Sequence, residues 1–300
     1  MSAQAQFAGK VADLIKQARA FGPEVRKRVV ELLEEARKRV VVEVAGVDPQ
    51  SFQAAQSAML KREIDRALSE FRDELTSTVN KAQTKAFDLG EATISEPLAA
   101  AGLSSPPSYL GLSNSTLSIA QGYTADLISG LARDSAAKLN AAIQRAFLGG
   151  QSMTDIIAQI GKAISGGDGF TGLFSPIGAR AETIAINEIL RVHSIAAQAK
   201  LEDLQGAHPE LQKQWLHVPA ARIPRFAHIQ ASGQVVNVDQ PFNVAGEDLM
   251  YPRDPNGSPE NTINCHCLMR PYFSEDALKP TARHTQILKD LGISISASAA

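Results

Sequence analysis

Cysteine is nearly absent: two residues in 300, both inside one short stretch, "NCHC" at 264–267. That excludes a disulfide framework and reads as a chain made in a reducing compartment. Aromatic residues make up only 5% of the chain, so its core must come largely from aliphatic and alanine side chains, as in closely packed long helices. No apolar run reaches the roughly 18 residues of a membrane span. The opening "MSAQAQFAGKVADLIKQ" carries Lys10, Asp13 and Lys16 and lacks the apolar stretch of a secretory signal. Neither sign of charge dominates, and a formal net charge of -2 gives no global field directed at nucleic acid. G-x-S-x-G, H-E-x-x-H, Walker and dinucleotide motifs are all missing, and with them the sequence signatures of the common hydrolase and nucleotide-binding classes. No internal repeat is visible.

What is present is helical periodicity. Residues 4–43 read as one helix, or as two broken near Gly22-Pro23, with Val25, Val29, Leu32, Leu33, Ala36 and Val40 on one side. The opposite side is charged, with Arg26, Lys27, Arg28, Glu31, Glu34, Glu35, Arg37, Lys38 and Arg39. Local ion pairs on a solvated face are the first reading of that side, and contact with DNA phosphates the second. After the turn "GVDPQS", apolar residues from Leu60 to Ala86 recur at three- and four-residue steps. They predict a helix over 52–88 with Gly90 as its C-terminal cap. That helix needs a partner, either the first helix as a hairpin or another subunit. Residues 94–116 contain Pro97, Pro106, Pro107 and several serines and read as a linker. Helical spacing returns over 117–148, 153–164 and about 177–205, and Ser152 with Asp155 has the spacing of a capping box.

Beyond Gly206 the period shortens. "KQWLHV" (213–218), "QVVNV" (234–238) and "NCHCLMR" (264–270) predict strands among Gly- and Pro-rich turns. The fold class is therefore α+β and predominantly α. It comprises an N-terminal helical region (1–93), the linker 94–116, and a unit over 117–275. In that unit, helices (117–205) precede a small strand-and-loop module (206–275). A frayed tail (276–300) follows.

In an extended chain Cys265 and Cys267 share one face and His266 points away, toward solvent. Their Cα atoms then lie about 6.5–7 Å apart, at the far limit for a disulfide. The thiols read first as small hydrophobes of a core. The second reading is two thiolates sharing a metal, zinc above all. His228 or His217, and a water or Asp254, would complete the four corners. Glu188, Arg225, His228 and Asp254 form another candidate cluster. An enzyme would use His228 as a general base and Arg225 to hold an anion. A buried polar network would instead pin the loops "NVDQPF" and "YPRDPNGS" to a helix, since loop backbone lacks ladder partners. The network is the favoured reading.

The order of several short motifs is specific when they are taken together. Arg180, Ile184, Ala185 and Glu188 lie on one helix, and Trp215 stands at a strand. Arg225-x-x-His228, Gly233-Gln234, Pro241-Phe242, Tyr251-Pro252-x-Asp254-Pro255 and Asn264-Cys265-x-Cys267 follow. Over roughly 140–273 this pattern resembles the phage head morphogenesis family, the minor head proteins of the phage Mu F type. Ile186-Asn187 before Glu188, Ala221 before Arg222, and His266 depart from residues common in that pattern.

The resemblance implies a non-enzymatic virion protein of the phage head, near the portal vertex, assembled in the host cytoplasm. It implies a portal protein as partner, with a major capsid or scaffolding protein and non-specific DNA contact as further expectations. Roles in head assembly, DNA packaging or ejection follow from it. No cofactor is expected, and zinc is the alternative left open by the Cys265–Cys267 pair. The alternative is a metal-dependent hydrolase or nucleic-acid-modifying enzyme built on His228, Cys265 and Cys267.

Overall fold

The structure is a computed structural model that describes residues 3–47, 54–103, 113–164, 169–219 and 225–273. Most of the expected linker's proline-rich centre and the tail 276–300 lie outside the described residues.

Two long helices open the chain, α1 (Ala3–Ala45) and α2 (Ala54–Ala100). They pack against each other, as the hairpin reading expects. Pro23 lies inside α1 without ending it. An interior proline forfeits one hydrogen bond. Here a buried stripe from Val11 through Ala18, Val25, Val29 and Leu33 to Val44 holds the axis through that point. Along α1 the charged face is laced with ion pairs: Arg28–Glu31, Arg37–Glu34, Arg26–Glu182 of a later helix, and Arg39–Glu70 of α2.

α2 departs from expectation. It does not stop at Gly90 but continues to Ala100, so residues 94–100 are helical and Pro97 sits within the helix. Gly90 is a contact point instead of a cap. A Cβ there would lie 2.4 Å from the His193 carbonyl oxygen and 2.8 Å from Ala196 Cβ. Both belong to the helix 174–205, which α2 crosses at that point.

α3 (Ser113–Leu148), α4 (Met153–Ile160) and α5 (Phe174–Gln205) follow. Ser152 caps α4: its hydroxyl accepts from the Asp155 amide at 3.2 Å and donates to Asp155 Oδ2 at 2.7 Å. One core cluster joins α1 from Val25 onward, α2, α3, α4 and the first half of α5.

The C-terminal module contains β1 (Gln212–Leu216), α6 (Phe226–Gln230), β2 (Val235–Asn237), β3 (Phe242–Val244), β4 (Glu247–Leu249), α7 (Pro259–Thr262) and β5 (Leu268–Tyr272). β1 is the centre of an antiparallel sheet ordered β2-β1-β5, in which Trp215 faces Met269 and Gln214 faces Arg270. Alternation along β1 buries Lys213 and Trp215 on one side. β3 and β4 form a hairpin whose two loop residues, Ala245 (φ 56°) and Gly246 (φ 83°), are both left-handed, as a tight turn between twisted strands requires.

The module does not stand on its own core. Its Trp215, Val238, Phe242, Leu249, Cys265, Cys267 and Phe273 share a cluster with Ala197, Leu201 and Leu204 of α5. Phe7 and Val11 from the start of α1, and Ile94 and Leu98 from the end of α2, complete it.

Candidate metal centre and the polar seam behind it

α5 presents a polar stripe to the module at three- and four-residue steps: Glu188, Arg191, Ser194 and Gln198. This spacing keeps all four on one helix face. Glu188 accepts from Arg191 at 2.7 Å and from Asn187 at 3.1 Å. Burial raises the Glu188 carboxyl above its usual range, against the pull of Arg191. Arg191 passes the link onward, donating to the Arg253 carbonyl at 3.1 Å. Gln198 donates to the Val238 carbonyl at 3.0 Å and accepts from Lys213 Nζ at 3.0 Å, and the same ammonium reaches the Met250 carbonyl at 2.8 Å. Burial lowers the Lys213 pKa to about 8.

Arg253 is the centre of this seam. It is fully buried and sits at φ 67°, a left-handed conformation that a bulky residue adopts only under constraint. Its guanidinium donates to the carbonyls of Cys265 (2.6 Å) and Cys267 (2.9 Å) and to Ser194 Oγ (2.7 Å). This clamp fixes the path of residues 265–267. The two cysteines were expected inside a strand, but the strand begins only at Leu268. Asn264 turns left-handed (φ 55°), and the two cysteine carbonyls pair with a guanidinium instead of a neighbouring strand.

Both thiols are buried, at 3% and 2% exposure, and His266 between them is half-buried, not solvent-facing. Across from them α6 carries His228, itself buried. Its Nδ1 lies 3.5 Å from Cys265 Sγ and 3.5 Å from Cys267 Sγ. The three donor atoms fall within 4.8 Å of one another. On its far side, His228 Nε2 lies 3.3 Å from Asn261 Oδ1, while the Asn261 amide donates to the Val244 carbonyl at 3.4 Å. That second bond turns Oδ1 toward the ring, so Nε2 carries the proton. Trp215 stacks edge-on against His228 with ring centres 6.1 Å apart. Among the described residues its buried indole N–H finds no nitrogen or oxygen acceptor, and its nearness favours the thiolate of Cys267. His217, just after β1, brings Nδ1 to 3.8 Å from Cys267 Sγ. A hydrogen bond from Cys267 holds the Cys265 thiol well below its usual pKa, and the same sharing, with burial, pushes Cys267 up.

Of the candidate metal ligands, then, His228, Cys265 and Cys267 come together. Asp254 does not join them: its carboxylate accepts from the amides of Met250 (2.8 Å) and Asn256 (2.9 Å) and holds a turn. The four residues read as a polar network do not bond to one another. Glu188 pairs with Arg191, Arg225 donates to the Ile263 carbonyl, His228 meets Asn261, and Asp254 holds its turn. Among the other motif residues, Trp215 and Phe242 pack edge-on in the core with ring centres 5.3 Å apart. Gly233, at φ 90°, returns the chain to β1, and its amide donates to the Trp215 carbonyl at 2.9 Å. Pro241 immediately precedes β3, and buried Pro252 precedes Arg253. Arg180 is exposed and faces Asp134 at 3.6 Å. Sequence reasoning missed Arg253, Ser194 and Asn261. Arg253 occupies the variable place in Tyr-Pro-x-Asp-Pro, and nothing in a single sequence marks that place as buried.

Residues 137–270 match the phage Mu protein F-like family. The resemblance read from the ordered motifs is met over this segment, which runs from late α3 to β5. The chain is also similar to the uncharacterized protein YqbB of Bacillus subtilis (strain 168). The two are 37% identical over 102 residues, 33% of this chain and 32% of that protein. The chain thus covers about a third of that relative's length. No solved structure matches the chain. The family points to phage head morphogenesis. Among the described residues, no helix is long and apolar enough to cross a membrane.

Proposed function

We propose that this protein is a structural minor head component of a tailed phage, bound at the portal vertex and acting in head assembly, DNA packaging or ejection. The observation that carries the reading is the Mu F-like match over residues 137–270. Its partner is the portal protein, with the major capsid or scaffolding protein as a further neighbour, and it is built into the particle in the host cytoplasm.

The role is not catalytic. A hydrolase built on His228, Cys265 and Cys267 would need substrate to reach them, and all three are buried at 3% exposure or less. Arg225, the candidate anion holder, donates instead to the Ile263 carbonyl. The long α1–α2 pair suits a component that makes extended contacts with neighbouring subunits.

Quantitative mass spectrometry of purified virions, and of procapsids lacking DNA, tests the proposal by counting this chain against the portal protein. A low and fixed copy number in both particles is expected. Absence from both would overturn it.

A further inference from the structure

Three properties of the thiol–imidazole cluster converge on one ligand. The first is spacing. A tetrahedral zinc with Zn–S of about 2.3 Å and Zn–N of about 2.0–2.1 Å sets its sulfur and nitrogen corners about 3.5 Å apart. Both Sγ atoms lie 3.5 Å from His228 Nδ1. The second is the count of donors. Nδ1 has one lone pair, or one proton, for two sulfurs at equal distance, so a hydrogen bond serves only one of them well. A cation at the common centre serves all three. The third is the supporting shell. Asn261 fixes the tautomer and tilt of His228 from behind, and Arg253 fixes the backbone of both cysteines. Metal-ligating histidines characteristically donate their other ring N–H to such a partner.

We propose that Cys265, Cys267 and His228 form the core of a structural zinc site, and that His217, which stands outside this trio with Nδ1 3.8 Å from Cys267 Sγ, swings in as the fourth donor and ties the end of β1 to α6 and the chain entering β5. Burial of His228, Cys265 and Cys267 argues for a closed, four-ligand site over an open catalytic one. The ligands come from three points well apart in sequence: 217, 228 and 265–267. The metal therefore joins three stretches of the module. Binding displaces the thiol protons to solvent and leaves two thiolates balancing one divalent cation, with no change of oxidation state. Affinity accordingly falls as pH falls. The site does not rest on the head-protein reading, and either can fail alone.

The test is metal content of the full chain, purified without chelator or a histidine tag, by elemental analysis and native mass spectrometry. One zinc per chain is expected. Exchange with cobalt should give tetrahedral d–d bands and thiolate-to-cobalt charge transfer. Cys265→Ser and Cys267→Ser should each abolish the charge-transfer pattern of a two-thiolate site, and His217→Ala should weaken zinc binding by about tenfold or more. If the cysteine variants fail to fold, the cobalt spectrum of the unaltered chain decides. A chain that carries no zinc, takes up none, and gains no thermal stability in added zinc would overturn the proposal. Unchanged zinc affinity and cobalt spectrum in His217→Ala would remove His217 from it.

Discussion

At the residue scale, buried basic groups organise the chemistry of this chain. Arg253, Lys213 and His193 are each almost inaccessible, and each is bonded to neutral groups. Burying a cationic side chain penalises its charged form unless a counter-charge is near. His193 shows this most plainly. Burial, and then the charge of Arg253, lowers its pKa to about 3. Among the described residues its ring hydrogen-bonds Thr93 Oγ1, at 3.2 Å. The unfolded chain takes up a proton at His193 near pH 6.5, whereas the folded chain refuses it until about pH 3. Between those values the unfolded state binds more protons, so stability falls as pH falls. Urea unfolding of the wild type and His193→Leu from pH 7.5 downward should show this as a difference. Relative to the variant, the wild type should lose up to about 1.4 kcal/mol for each pH unit below 6.5. Parallel profiles would show that the imidazole is not kept neutral by its surroundings.

At the element scale, helix type was legible and helix ends were not. The apolar spacing from Leu60 to Ala86 announces α2, but Gly90 reads as a stop only because a single sequence cannot show what lies opposite it. What lies opposite is the backbone of α5. Two substitutions separate these roles. In a helix interior, Gly→Ala alone should stabilise by up to about 1 kcal/mol. Gly130, in α3, would place an added Cβ with nothing within 4 Å of it and should show that gain. Gly90→Ala should instead destabilise by about 2 kcal/mol, because the new carbon meets the His193 carbonyl oxygen at 2.4 Å and backbone yields little. Urea midpoints that move in the same direction for both would reject the close crossing.

Strands were located more loosely than helices. Trp215 and Val236 mark β1 and β2, yet the β3–β4 hairpin went unread, since three-residue strands carry almost no period. The three metal candidates were legible because their residue types are chemically distinctive. The polar seam on α5 was not, because Arg191, Ser194 and Gln198 look like an ordinary solvated face until the module is laid against them.

On the scale of the whole molecule, the two ends of the chain complete each other's cores. The Mu F-like segment 137–270 lacks Phe7, Val11, Ile94 and Leu98, which seal the cluster around Trp215. It also lacks the Val25–Leu75 stripe that covers the first half of α5. A fragment limited to 137–270 should therefore show no cooperative thermal transition and should bind a hydrophobic dye, whereas the full chain should unfold in one transition by calorimetry. A fragment that melts cooperatively on its own would show that the matched segment is self-sufficient.

The course of α1 across both cores also bears on how the protein is made. Its second half meets α2 soon after synthesis, because the two are neighbours in sequence. Phe7 and Val11 meet Ile94 and Leu98 of α2 early as well, but the rest of their cluster, Trp215, Phe242 and Phe273, is translated some two hundred residues later. At about 5–20 residues per second, that is a delay of roughly 10–40 s. The start of α1 is thus among the last segments to have its core completed. During that interval the side of its apolar stripe that the module will cover is open to chaperones, and to the same stripe on a neighbouring nascent chain.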